Sequence, residues 1–245
     1  MNYVMMKMRR CHFMSVLAML VIGFAAVSCS KDNDPSPEDE EALKVEIGNV
    51  VGFGEVSGTP QGTPFQLPDG VVVDGTITGD DCGEEVEHIG SGYYVTVCVA
   101  LRNDKDQPIT IKLPGGLIIV SETTEYQHGV VLETTTIVLP PKTTTRFALH
   151  TYCGNASRSA ADSDAIYTFG PTTNSKLLER LVNDLSRKKI EISDYWVDGT
   201  TTQTYDELED TIQTLLWLIT DHGGSMDWET FEYMYNQLLN ELPNK

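Results

Sequence analysis

Tyr93-Tyr94-Val95-Thr96-Val97-Cys98-Val99-Ala100-Leu101 is the stretch that decides the fold class. Its odd positions carry Tyr, Val, Val, Val and Leu and its even ones Tyr, Thr, Cys and Ala, a period of two that an extended strand turns into two faces. Downstream, Asn103-Asp104-Lys105-Asp106-Gln107-Pro108 is turn chemistry, after which Ile109, Ile111 and Leu113 alternate until Pro114-Gly115-Gly116, so the spacing predicts a hairpin with a longer loop. Leu117–Val120 and Val130–Leu139 continue the pattern, Pro140-Pro141-Lys142 makes a corner, and Thr145, Phe147, Leu149, Thr151 and Cys153 fall on one face of the next strand. Upstream, Val45–Val56 and Phe65–Val73 are expected to supply edge strands, with glycines that leave their register open.

Short strands at this spacing, separated by proline and glycine corners, predict a mainly β fold: an immunoglobulin-like β-sandwich over residues 43–171. After Phe169-Gly170-Pro171 the period becomes helical, which predicts an α-helical C-terminal region over residues 172–245. Leu177, Leu178, Leu181, Val182 and Leu185 form one apolar stripe, and Leu208, Ile212, Leu215, Leu216 and Ile219 a second, opened by the capping box Thr204-Tyr205-Asp206-Glu207 and stopped by Gly223-Gly224. Asp227 is placed to cap a third helix that carries Phe231, Met234, Leu238 and Leu242.

The first residues have the layout of an export signal: basic Lys7, Arg9 and Arg10, an apolar run from Met14 to Val27, then Ser28 and Cys29. The run is shorter than the ~20 apolar residues of a comfortable membrane span. Ala26-Val27-Ser28-Cys29 resembles the lipobox of bacterial lipoproteins, which implies a signal peptide over residues 1–28 and lipidation of Cys29 as the mature N-terminus. Residues 29–42 are acidic and proline-punctuated with almost nothing to bury, and so read as a disordered tether. An acidic stretch behind the acylated cysteine is similar to the surface-export signal of some outer-membrane lipoproteins. The expected address is therefore the cell envelope, as an outer-membrane lipoprotein exposed at the surface and held to the membrane through its N-terminal lipid.

The chain carries 36 acidic against 17 basic side chains. Loss of residues 1–28 removes three basic groups and no acidic one, taking the net charge from −19 to −22. Such a field repels phosphate backbones and excludes nucleic acid as a partner. Of the five cysteines, Cys11 leaves with the signal and Cys29 is spent on lipid, so Cys82, Cys98 and Cys153 remain. In an oxidising compartment two of the three can pair, which two being open, and one thiol is left over. His88, His128, His150 and His222 are scattered and no CxxC is present, so no metal site and no cofactor is expected.

No GxSxG, HExxH, P-loop or dinucleotide-binding glycine motif occurs, which points to binding of an extracellular or envelope protein or glycan rather than to enzymatic turnover. Trp196, Trp217 and Trp228 are candidate sugar-stacking platforms or core residues. One pairing carries a named reaction. Tyr152-Cys153 closes a predicted strand, and Ile212-Gln213-Thr214-Leu215-Leu216-Trp217 lies on a predicted helix. Together they resemble the aromatic-Cys and hydrophobic-Gln-x-x-hydrophobic motifs of the thioester domains of bacterial surface adhesins. The resemblance, which spans about Tyr152 to Asp221, implies a thioester between Cys153 and Gln213, with Trp217 packed beside it, and a covalent adhesin as the alternative to a noncovalent binding module.

Overall fold

A computed structural model describes residues 37–80, 82–83, 85–221 and 226–245. The chain begins with helix α1 (Pro37–Lys44) and continues through eleven strands: β1 (Gly62–Pro64), β2 (Val71–Val73), β3 (Ile77–Thr78), β4 (Glu87–Gly90), β5 (Val95–Asn103), β6 (Ile109–Leu113), β7 (Leu117–Ser121), β8 (Gly129–Val130), β9 (Thr135–Leu139), β10 (Thr144–Cys153) and β11 (Ile166–Thr173). Helix α2 (Lys176–Leu185), a small hairpin of β12 (Trp196–Val197) and β13 (Thr200–Thr201), and helices α3 (Gln203–Thr220) and α4 (Trp228–Glu241) follow. Glu38–Lys245 is one compact unit. The signal segment, Cys29 and the tether up to residue 36 lie outside the described residues, as do His222 and Gly223-Gly224; α1 takes up the last part of the segment read as tether.

Six strands close on themselves. β5 pairs antiparallel with β10, Arg102 to Val95 against Thr144 to Thr151. On its other edge Cys98 pairs Thr78 of β3, β3 pairs β11, β11 pairs β7, β7 pairs β8, and β8 returns to β10. A closed six-stranded antiparallel ring is a barrel, and this overturns the expected immunoglobulin-like sandwich, whose two sheets remain open. Alternation reads the same in either architecture. Closure depends on β3 and β8, two residues each and too short to carry a period. The mainly β character and the helical C-terminal region are as expected. β2 and β1 extend the sheet beside β5 and β11, β4 runs parallel to β10, and β6 and β9 form a separate ribbon.

The barrel wall is apolar on both sides where the helices cover it. Leu117 and Ile119 of β7, Val131 after β8, and Phe147, Leu149 and Cys153 of β10 fill the barrel. Their alternates Ile118, Val130, Leu132 and Tyr152 face outward against Leu177, Leu181, Ile212, Leu216 and Phe231 of the helices. Full burial of side chains of this size stabilises by about 1.5–3 kcal/mol each, so the helices and the barrel hold each other in place.

Val45–Val56 forms no strand: it is a succession of turns, because Gly48, Gly52 and Gly54 take positive φ (62°, 84° and 52°) that extended backbone does not use. Of Phe65–Val73 only Val71–Val73 pairs. Helix α3 starts one residue before the expected capping box, with Thr202 at its N-cap and no side-chain cap bond, so Thr204–Glu207 lies inside the first turn. Asp227 caps α4 as expected, its carboxylate accepting the Thr230 N–H at 2.9 Å. Cys82 and Cys98 form the disulfide, which pins the segment after β3 to the middle of β5 and leaves Cys153 as the free, buried thiol among the described residues.

Candidate functional site

β10 delivers Cys153 to the point where the barrel meets α3. Cys153 and Gln213 are both buried, at 0% and 1% exposure. A carboxamide on the apolar face of α3, between Ile212 and Leu216, is costly unless both of its ends are paired. Both are: the Cys153 N–H donates to Gln213 Oε1 at 2.9 Å, and Gln213 Nε2 donates to the Cys153 carbonyl oxygen at 2.8 Å. Gln213 thus extends the ladder at the end of β10 as a strand residue would, and its carboxamide is held at the backbone of the one cysteine whose sulfur is not in a disulfide among the described residues.

The glycine-rich turns before β1 seal this junction. Gly48 N–H donates to the Ile219 carbonyl at 2.7 Å and Gly54 N–H to the Gly154 carbonyl at 3.1 Å. Phe53 is 1% exposed and lies so close over Gly154 that a Cβ there would come within 2.4 Å of the ring. Asn155, fully buried, accepts the His128 N–H at 3.0 Å and donates to the Gly52 carbonyl at 3.2 Å, tying the segment after the cysteine to both neighbours.

Burial, helped by Asp221 and opposed by the Asn155 backbone, the Trp217 indole and Arg158, leaves the Cys153 thiol pushed up to about 12. At neutral pH the group is therefore a thiol, shielded from solvent oxidants and alkylating agents. Trp217 is half-buried on the turn after Gln213, packs against the cluster that contains Cys153, and meets Tyr94 at 6.0 Å between ring centroids. The structure thus brings together Cys153, Gln213 and Trp217; Cys29 lies outside the described residues.

A cleft of about 590 Å³ opens nearby, lined among others by His88, Tyr93, Tyr94, His150, Trp196 and Tyr205. His88 and His150 stand 62 positions apart in sequence, yet the parallel pairing of β4 with β10 puts His88 opposite Ala148 and brings the two rings into contact. His150 Nδ1 lies 3.1 Å from the Gly92 carbonyl oxygen and 3.2 Å from Thr96 Oγ1, and His150 Nε2 lies 2.8 Å from His88 Nδ1. Trp196 stacks on His88 at 4.3 Å, while Trp228 stacks on Phe231 within the helices. Sequence reasoning missed the histidine pair because nothing local signals a parallel pairing across that distance.

Asp80, Cys82 and Cys98 gather within 4.8 Å, but both sulfurs are in the disulfide and are not available as thiolate ligands. Also missed was Glu209, buried one helical turn before Gln213; its signal was a carboxylate at i−4 on the apolar stripe of α3. No family model matches the chain, and no curated protein or solved structure shows significant similarity to it.

Proposed function

We propose that this chain is a lipid-anchored protein of the cell envelope, held by acylated Cys29 and displayed at the outer-membrane surface, whose folded part is a covalent adhesin. The single observation that supports this reading is the convergence of a free thiol and a carboxamide, both excluded from water, at the joint of β10 and α3. The sulfur of Cys153 attacks the side-chain carbonyl carbon of Gln213, the C–N bond breaks, and ammonia leaves with the thiol proton, giving an internal thioester. A primary amine on a protein or glycan of another surface later opens it, forming an amide on Gln213 and restoring the thiol. The protein is consumed once in this reaction and does not turn over.

The test is the intact mass of the mature chain with Cys29 replaced, before and after methylamine, beside a Cys153→Ala control. A deficit of one ammonia that methylamine converts to an adduct, absent from the control, is the expected result. An unchanged mass that shows one disulfide and one free thiol removes the covalent reading. Protection of the folded part against protease on intact cells, with cleavage after lysis, removes the surface address.

A noncovalent binding module is the second reading, and the aromatic cleft favours it: Trp196, Tyr93 and Tyr94 offer ring faces beside hydrogen-bonding His150 and Asp162, the composition that protein or glycan ligands exploit. Ligand binding that survives Cys153→Ala and is lost with Trp196→Ala supports this reading over the first.

A further inference from the structure

Opening a thioester with an amine requires a proton to leave the attacking nitrogen, and a buried site has no water to take it. Resting on the covalent reading above, we propose that Glu209 is the proton acceptor for the incoming amine, which reaches the bond from the His88–His150 cleft past Tyr94 and Tyr205.

The placement comes from α3. Glu209 and Gln213 are four residues apart on one helix, so their side chains are neighbours with about 5–6 Å between Cβ atoms. Both face inward, Glu209 at 6% exposure and Gln213 at 1%. Glu209 Oε1 is buried and has no hydrogen-bond partner among the described residues. A carboxylate oxygen left bare beside the candidate bond is expensive for a purely structural role, since a leucine would serve the stripe better. It is suited to a group that must bind a transient N–H.

The surroundings fit a base that works near neutral pH. Burial, with the charges of Asp210 and Asp206 on its own helix, raises the Glu209 carboxyl to about 8. Near it are the phenols of Tyr205, one turn earlier on α3, and of Tyr94 and Tyr152 from other elements, each of which Glu209 pushes upward. A proton acceptor is most effective when its pKa lies close to the working pH. Tyr205 stands one turn before Glu209 on α3, Tyr94 meets Trp217 at 6.0 Å, and both phenols line the cleft, so the cleft wall is next to the helix face that carries Glu209 and Gln213. Asp80 and Asp162 on the same cleft attract a cation. The ligand class is therefore a primary amine on a long, slender stem, such as a lysine side chain, drawn to the cleft as its ammonium and attacking once that proton has left to solvent at the open cleft.

The step balances without a further reactant. The amine nitrogen bonds to the Gln213 acyl carbon, the C–S bond breaks, the nitrogen proton passes to Glu209, and from there it reaches the Cys153 sulfur, whose high proton affinity makes the thiol the stable product.

The experiment follows the rate of methylamine adduct formation by intact mass, at constant free-amine concentration across pH, for the mature chain with Cys29 replaced and for its Glu209→Gln and Glu209→Asp variants. The wild-type rate is expected to rise through an inflection near pH 8. Glu209→Gln, with its ammonia deficit intact, is expected to react about a hundredfold more slowly and without that inflection, the low end of general-base effects, and Glu209→Asp to recover part of the rate. A Glu209→Gln protein that carries the deficit and reacts with the wild-type rate and profile overturns the assignment while leaving the thioester standing. A folded Glu209→Gln protein that never loses ammonia moves Glu209 to bond formation and overturns it equally. Absence of the deficit from the wild type removes the thioester itself.

Discussion

Replacing Gln213 with leucine, in a Cys153→Ala background where no covalent bond to the thiol is possible, isolates what the carboxamide does for the fold. The substitution strands the N–H and the carbonyl of residue 153, now bonded at 2.9 and 2.8 Å in a fully buried position. An unsatisfied buried backbone group costs about 1–3 kcal/mol. Leucine returns part of that by burying apolar surface on a stripe that already contains Ile212 and Leu216, about 1–2 kcal/mol. With two such groups stranded, the net loss spans about 0–5 kcal/mol and centres on about 2.5 kcal/mol. At roughly 2–4 °C per kcal/mol for a domain of this size, thermal unfolding followed by circular dichroism should fall on the order of 5–10 °C. Thr214→Leu, on the exposed side of the same turn, is the control and should stay within about 0.5 kcal/mol. A Gln213→Leu protein as stable as its parent would refute the claim that the carboxamide completes the end of β10, and with it the geometric basis of the site.

Stability against pH reports Glu209 in a second way: its folded pKa of about 8 stands above the ordinary 4.5, so its contribution is full below pH 4.5 and is lost as pH rises toward 8, on the order of a few kcal/mol. Glu209→Gln should flatten that alkaline decline in urea titrations, and Glu191→Gln should flatten the part below about 7, where burial holds Glu191. His128 has the opposite sign, lowered from 6.5 to about 4 by burial and Arg158, so its contribution is present above 6.5 and lost as pH falls through 4; unchanged acid stability in His128→Gln would contradict this. Replacing Cys82 and Cys98 together opens a loop with a sequence separation of 16 and should cost about 3 kcal/mol, measured by denaturant midpoint. Gly154→Ala forces a Cβ to 2.4 Å from Phe53 and should cost about 1–3 kcal/mol, with the loss relieved by Phe53→Leu.

The strand from Val95 to Leu101 and the apolar stripes of α2 and α3 were legible because each repeats a face over many residues, and repetition is what a sequence displays. Barrel closure was not legible, since it rests on Thr78 opposite Cys98 and on Val130 opposite Ile118 and Tyr152, pairings made by segments of two residues. The disulfide followed the same rule: three cysteines offered three pairings, and only closure of the ring next to Cys98 selects Cys82 as its partner. The residues of the candidate site were legible as types, a cysteine ending one strand and a glutamine in an apolar stripe. What the stripe did not reveal is that Glu209 is buried in it: its one mark, a place four residues before Gln213, is weak because a carboxylate on a helix is ordinarily solvated.

The two faces of β10 bear on the bond proposed at this position. Phe147, Leu149 and Cys153 belong to the barrel interior and Tyr152 to the layer beneath the helices, so the strand end is gripped from both sides by cores that cannot shift independently. Gln213 enters from the helical layer and reaches Cys153 across that wall, while the turns of residues 48–54 close it from outside through Phe53 and the backbone of Gly154. For the proposed bond, two rigid elements fix the Gln213 carboxamide at the backbone of Cys153, which raises the effective concentration of one group at the other, and the same packing would keep water from the product. In the proposed reaction an amine would enter where Tyr94 stands between Trp217 and the cleft. Removal of that ring by Tyr94→Ala should therefore speed both amine capture and hydrolysis, whereas an access route through the Phe53 side would leave both rates unchanged.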